Sequence, residues 1–260
     1  MRILLTNDDG IYAPGLRALR RELKNLGEVI VIAPATEQSA VGHSITVLSP
    51  LVIQEVFEDG EAIGWAVEGS PADCVKLAIL ELLDGAPDLV VSGINSGANV
   101  GINVLYSGTV AAAIEGAFFK VTSVAVSLEI DEQPDYVTGA RLARQLVEQL
   151  VARRPPAGSL YSVNLPAFHR GWPKGIRVVP MGLDRHGERF ERRTDPRGRT
   201  YYWITSERVE PEKFAETDVS SLREGYVTIT PLNFDLSRFD NLREMAEWTW
   251  RMPERQPIDG

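Results

Sequence analysis

Ile3-Leu4-Leu5-Thr6-Asn7-Asp8-Asp9-Gly10 runs from an apolar strand straight into two adjacent carboxylates and a glycine. Consecutive apolar residues without polar alternation fit a strand buried on both faces, the pattern of a parallel sheet with helices on either side. Asn7 to Gly10 then form the turn at its carboxyl end, the edge at which open α/β sheets bind ligands. Asn, Asp and Gly are also the residues of an ordinary solvated turn. Two neighbouring acids repel, however, and in a semi-enclosed site both stay ionised only beside a cation. Asp8 and Asp9 are therefore candidate metal ligands.

Composition narrows the alternatives. A chain of 260 residues, 44% hydrophobic and 24% charged, can bury a full core as one large domain or a domain with an extension. The formal charge of −9 opposes a nucleic acid polymer or an anionic membrane as partner. An anionic substrate then needs local help from a metal, backbone amides or a helix N-terminus. Cys74 is the single cysteine, which excludes an internal disulfide and suits a reducing compartment. With no basic-then-apolar leader and no apolar run of bilayer length, a cytoplasmic location is expected.

Strands and helices alternate along the chain. Pro14 opens a helix with Leu16, Leu19, Leu23 and Leu26 at helical spacing, which Gly27 ends. A strand at Val29 to Ala33 runs into the irregular segment Pro34 to His43, placed on the same edge as Asp8 and Asp9. Ile45 to Val56 and Ala62 to Val67 read as short strands or a hairpin extension. Pro71 starts a helix to Leu83 that holds Cys74 as a small buried apolar residue. Strands follow at Asp88 to Ser92, Val121 to Leu128 and Leu160 to Leu165, with an amphipathic helix at Tyr136 to Ala152. The expected fold is α/β: a Rossmann-like, mostly parallel sheet flanked by helices over residues 1–170. Residues 171–260 read as a β-rich extension with short β runs at Ile176 to Val179, Tyr201 to Thr205 and Tyr226 to Pro231. Arginine-rich turns such as Glu191 to Arg199 separate them. Leu236 to Trp250 reads as a helical arm with apolar residues that pack against a neighbouring subunit.

Two further segments fall on the edge with Asp8 and Asp9. Gly93 to Asn103 is expected as a loop rich in Gly and Asn, with Asn95, Ser96 and Gly97 close to a ligand. Ser107, Gly108 and Thr109 lead into an alanine-rich helix, whose N-terminus suits an anion. Three histidines (His43, His169, His186) and one cysteine cannot supply the nitrogen and sulfur cluster that zinc prefers. Asp8 and Asp9 with a hydroxyl such as Ser39 and an amide oxygen such as Asn95 suit a hard dication: magnesium, manganese or calcium. Such a site points to phosphoryl chemistry, with Asn7, Gly42, His43, Asn95, Ser96, Gly97, Ser107, Gly108 and Thr109 as candidate phosphate or substrate contacts. His43 is either a proton donor to the leaving oxygen or simply a polar loop residue. His169 and His186 read as surface or interface residues.

Asn7-Asp8-Asp9-Gly10, Gly93-Ile94-Asn95-Ser96-Gly97, Tyr106-Ser107-Gly108-Thr109-Val110, Gly69-Ser70-Pro71-Ala72-Asp73-Cys74-Val75 and Asp195-Pro196-Arg197-Gly198-Arg199 together resemble the SurE family of survival-protein nucleotidases. The resemblance spans nearly the whole chain. It implies a Rossmann-like core and a 5'- and 3'-nucleotidase acting on nucleoside monophosphates with one divalent cation, Mg2+ or Mn2+. It also implies homodimers or homotetramers joined by exchanged C-terminal arms, and metal ligands at Asp8, Asp9, Ser39 and Asn95. Many relatives have Gly-Thr-Pro-Ala-Asp and Gly-Thr-Val-Gly-Ala where this chain has Gly69 to Asp73 and Gly108 to Ala112. Both departures exchange small residues and bear on fine specificity.

In the expected mechanism Asp8 or Asp9 accepts the proton of a water that attacks phosphorus in line with the leaving ribose oxygen. The rival within the enzyme reading makes one aspartate a nucleophile. The alternative outside it is a metal-dependent nucleotide-binding or phosphoacceptor signalling module without turnover. That module wants a third aspartate where this chain has Ser92, and is about half as long. A dinucleotide oxidoreductase is weaker still, because the first turn has no Gly-x-Gly-x-x-Gly.

Overall fold

A computed structural model of the chain describes residues 1–58, 60–183, 187–207 and 216–252. In chain order the elements are β1 Arg2–Thr6, α1 Pro14–Leu23, β2 Glu28–Pro34, β3 Ile53–Glu58, β4 Glu61–Val67, α2 Pro71–Leu77, β5 Leu89–Ser96, α3 Gly108–Phe118, β6 Thr122–Leu128, α4 Tyr136–Ala152, β7 Leu160–Leu165, β8 Ile176–Val178, β9 Gly187–Thr194, β10 Thr200–Glu207, α5 Asp218–Arg223, β11 Val227–Leu232 and α6 Phe239–Ala246. A π turn, Ala78–Leu82, prolongs α2, and a 3-10 turn, Gly101–Leu105, precedes α3.

Nine strands form one sheet in the order β3-β4-β2-β1-β5-β6-β7-β11-β8. β4, β2, β1, β5, β6 and β7 run parallel, so their carboxyl ends share one edge. β3 is antiparallel to β4, and β11 is antiparallel to β7. The sheet thus continues through β11 and β8, beyond residue 171, without a break.

The opening apolar run is buried on both faces. Ile3 and Leu5 pack with Leu16, Leu19 and Leu23 of α1 and with Leu146 and Val147 of α4. Leu4, between them, faces Cys74 and Val75 of α2 and Ala112 of α3. Each such fully buried Leu or Ile contributes roughly 1.5–3 kcal/mol. Cys74 is wholly buried, and burial raises its thiol pKa, so it is the small apolar core residue expected. Among the described residues, no helix is long and apolar enough to cross a membrane.

Several expected elements differ. No strand forms over residues 45–52: Val47 and Leu48 are exposed, while Ser44 and Thr46 are bound by Ser70 and Asp73 instead of a neighbouring strand. β5 runs to Ser96 rather than ending at Ser92, with an irregularity in its pairing with β6 between Ser92 and Asn95. Glu191 to Thr194, expected as turn, belongs to β9, which pairs only with β10 as an outlying ribbon among the described residues. The turn itself is tighter: the Arg197 and Arg199 N–H groups both donate to Asp195 Oδ1, each at 2.9 Å. The expected helix from Leu236 to Trp250 is shorter, Phe239–Ala246. His186 lies outside the described residues.

Candidate active site

The turn after β1 is built from inside. Asn7 is fully buried and donates through Nδ2 to the Gly10 carbonyl at 2.9 Å, so it braces the turn rather than facing a ligand. Among the described residues its Oδ1 has no hydrogen-bond partner, a buried polar atom left over at the base of the site. Gly10 has φ +98°, a conformation that side-chain-bearing residues rarely adopt.

Asp8 is nearly buried and Asp9 partly so. The Thr109 hydroxyl, itself wholly buried, donates to Asp8 Oδ1 at 2.5 Å and so orients the carboxylate. The N-terminus of α3 therefore faces Asp8. Gly108 permits this approach, because a Cβ there would stand 2.8 Å from Asp8 Cβ and 3.0 Å from Oδ2. Ser107 caps the same helix by accepting the Val110 N–H at 3.1 Å. Asp9 Oδ2 accepts the Ser96 N–H at 3.1 Å, which ties the end of β5 to the end of β1.

Burial pushes the Asp8 carboxyl above its ordinary range, against the downward pull of the Thr109 bond. Asp9 is pushed up to about 6, by burial first and the Asp8 charge second. Glu37 adds negative charge to both. No local pattern in the sequence marks Glu37, which stands two positions before Ser39; the Ser39 hydroxyl donates to it at 2.5 Å. Among the described residues neither Asp8 nor Asp9 has an ion-pair partner, and no group of three His, Cys, Asp or Glu is placed to hold a metal. Any cation here must be held by two acids and neutral oxygens.

Ser39 and Asn95 reach this corner through their neighbours. The Gln38 N–H donates to the Asp8 carbonyl at 2.7 Å, and Asn95 adjoins Ser96. Asn95 Nδ2 donates to the Gly97 carbonyl at 2.7 Å, and among the described residues its Oδ1 accepts no hydrogen bond. The backbone N–H groups of the candidate contacts Ser96, Gly97 and Gly42 are already engaged. The Ser96 N–H serves Asp9, the Gly97 N–H donates to the Leu128 carbonyl at 2.8 Å, and the Gly42 N–H donates to the Tyr106 carbonyl at 3.0 Å. His43 is bonded to Glu115 at 2.8 Å and is not brought onto the acids. His169, on the surface, meets Asp131 at 2.7 Å.

The family model described as "Survival protein SurE" matches residues 3–188, a span that contains every element of this corner. The chain belongs to the SurE family. A 5'-nucleotidase SurE from Rhodopirellula baltica is 57% identical over 252 residues, covering 96% of this chain and 100% of that one. Another SurE 5'-nucleotidase, from Heliobacterium modesticaldum, is 47% identical over 249 residues, covering 95% and 92%. The crystal structure of the SurE protein from Aquifex aeolicus superposes with a TM-score of 0.83 at 36% identity, over 94% of this chain and 98% of that one. The Rossmann-like α/β architecture is thus shared with a solved SurE structure.

Proposed function

We propose that this chain hydrolyses nucleoside 5'-monophosphates, and 3'-monophosphates as well, to nucleoside and phosphate. One divalent cation, Mg2+ or Mn2+, is held in it by Asp8, Asp9, Ser39 and Asn95. Relatives named 5'-nucleotidase SurE that align over nearly the full length support the reaction. The observation that carries the metal reading is a pair of abutting carboxylates, both raised in pKa, with no cationic side chain beside them among the described residues. The donors fit a hard cation: two carboxylates, a hydroxyl and an amide oxygen free to coordinate.

Bound there, the cation would neutralise phosphate charge and make water more acidic. Thr109 and Ser96 hold Asp8 and Asp9 in fixed orientations, which keeps the reacting groups positioned without further reorganisation. The proton of the attacking water passes to the Asp8–Asp9 pair. The Ser96, Gly97 and Gly42 amides are engaged within the protein, so phosphate is held chiefly by the cation, with the Ser96 hydroxyl and the Ser107–Gly108 start of α3 as its protein contacts.

Phosphate release from AMP, GMP and an aryl phosphate, measured before and after chelation, tests the reading. Release that stops with chelator and returns with Mn2+ or Mg2+ is expected. Release indifferent to chelator would remove the cation, and nucleotide binding without release would remove the hydrolase. Rapid quench with labelled AMP is expected to trap no phosphoryl-aspartate; a trapped one would replace direct attack by water with a covalent route.

The same reading makes the chain a cytoplasmic homodimer or homotetramer joined by its arm from Leu236 onward. Phe239, Leu242, Trp248 and Trp250 of that arm are exposed. A groove of about 500 Å³ along α3, lined in part by Ile114, Phe118, Met181, Leu232 and Phe234, is apolar enough to receive such an arm.

A further inference from the structure

Glu115 is buried yet plays no part in the chemistry above. It lies on α3 six residues beyond Thr109, is 3% exposed, and meets His43 Nε2 at 2.8 Å and Lys76 Nζ at 3.5 Å. A buried carboxylate is costly to hold unless it is paired. Here the pairing fastens a loop.

Residues 35–52 connect β2 to β3 with neither helix nor strand. Ser39 sits in this loop between two fastenings. Before it, the Gln38 N–H donates to the Asp8 carbonyl; after it, the Gly42 N–H donates to the Tyr106 carbonyl and His43 reaches Glu115. Farther along, the Thr46 hydroxyl donates to Asp73 Oδ2 at 2.7 Å and the Ser70 hydroxyl to the Ser44 carbonyl at 2.6 Å. The helix that fixes Asp8 through Thr109 therefore also fixes, ~9 Å farther along its axis, the loop that carries Ser39.

We propose that Glu115 and His43 are positioning residues for Ser39: the Gln38 N–H ties one side of Ser39 to the Asp8 carbonyl, and the His43–Glu115 bond ties the other side to α3, so that the two together set the spacing of Ser39 from Asp8. The proposal rests on the cation reading above. His43 acts through the loop and not on the substrate, which accounts for its bond to Glu115 rather than to the acids.

Full-length wild-type, His43→Ala, His43→Gln and Glu115→Gln proteins are compared by calorimetric titration with Mn2+ alone and by amide hydrogen exchange of the metal-free protein. His43→Ala is expected to weaken Mn2+ binding about tenfold and to speed exchange across residues 37–46. Activity lost by this variant should return as Mn2+ is raised, with the KM for AMP unchanged at saturating Mn2+. His43→Gln, whose amide N–H can still reach Glu115, should recover most of the affinity, and Glu115→Gln should fall between. Unaltered exchange in His43→Ala would overturn the tie itself. Unaltered Mn2+ affinity with a raised KM would overturn it in favour of direct substrate contact. Wild-type protein that takes up no Mn2+ would instead overturn the cation reading and Ser39's role as ligand, an outcome the exchange data keep separate from failure of the tie.

Discussion

Asp9 gives the site a measurable pH signature before any substrate is added. Its carboxyl titrates at about 6 in the metal-free fold, because burial and then the Asp8 charge disfavour the anion. An unfolded aspartate titrates near ~3.9, so the native state binds more protons across the interval between. The resulting stabilisation is full below the unfolded value and is lost as pH rises through about 6. Asp8, shifted in the same direction, adds to it. The thermal midpoint of metal-free wild type, taken relative to Asp9→Asn, should therefore fall from pH 4 to pH 7, and saturating Mn2+ should abolish that fall; a difference that climbs with pH would contradict the assignment. Asp8→Asn and Asp9→Asn should each lower phosphate release by about 10²-fold or more while melting cooperatively. Thr109→Val should cost roughly 1–3 kcal/mol in urea unfolding, because it leaves Asp8 Oδ1 buried without its donor.

At the scale of elements, α3 is the part on which the corner is built. Gly108→Ala would set a methyl 2.8 Å from Asp8 Cβ, so α3 must retreat from β1. The expected loss is about 1–3 kcal/mol of stability together with weaker Mn2+ binding, read by denaturation and calorimetry on one preparation; unchanged Mn2+ affinity would show that the contact does not matter to the site. Helix Tyr136–Ala152 and strand Leu160–Leu165 are legible to the residue in the sequence, because apolar periodicity and flanking turns mark both ends. Asp8 and Asp9 are legible because two acids closing an apolar run are chemically odd. β9 is not, since Arg192, Arg193 and Glu191 lie exposed on an outlying ribbon and no core imposes an apolar alternation. α5 escapes notice because six residues, Asp218–Arg223, are too few to show a period. The link from His43 to Glu115 spans 72 positions, and the engaged amides of Ser96 and Gly97 depend on tertiary partners. Local pattern carries neither.

Over the whole molecule, a parallel sheet collects the turns after β1, β2 and β5 on one edge, while the chain's last described segment lies unburied. Phe239, Leu242, Met245, Trp248 and Trp250 are all exposed in the single chain. Ending the chain before Leu236 should reduce the sedimenting species to a monomer that still folds. A truncated chain that keeps the mass of the full one would place the interface elsewhere. What occupies the edge beside Asp8 and Asp9 decides whether this chain is a metal-dependent nucleotidase. Anomalous diffraction from crystals grown with Mn2+ locates it directly. Expected is one strong peak per chain, bounded by oxygens of Asp8, Asp9, Ser39 and Asn95; no peak there, with manganese bound at other residues, would contradict the metal-dependent nucleotidase.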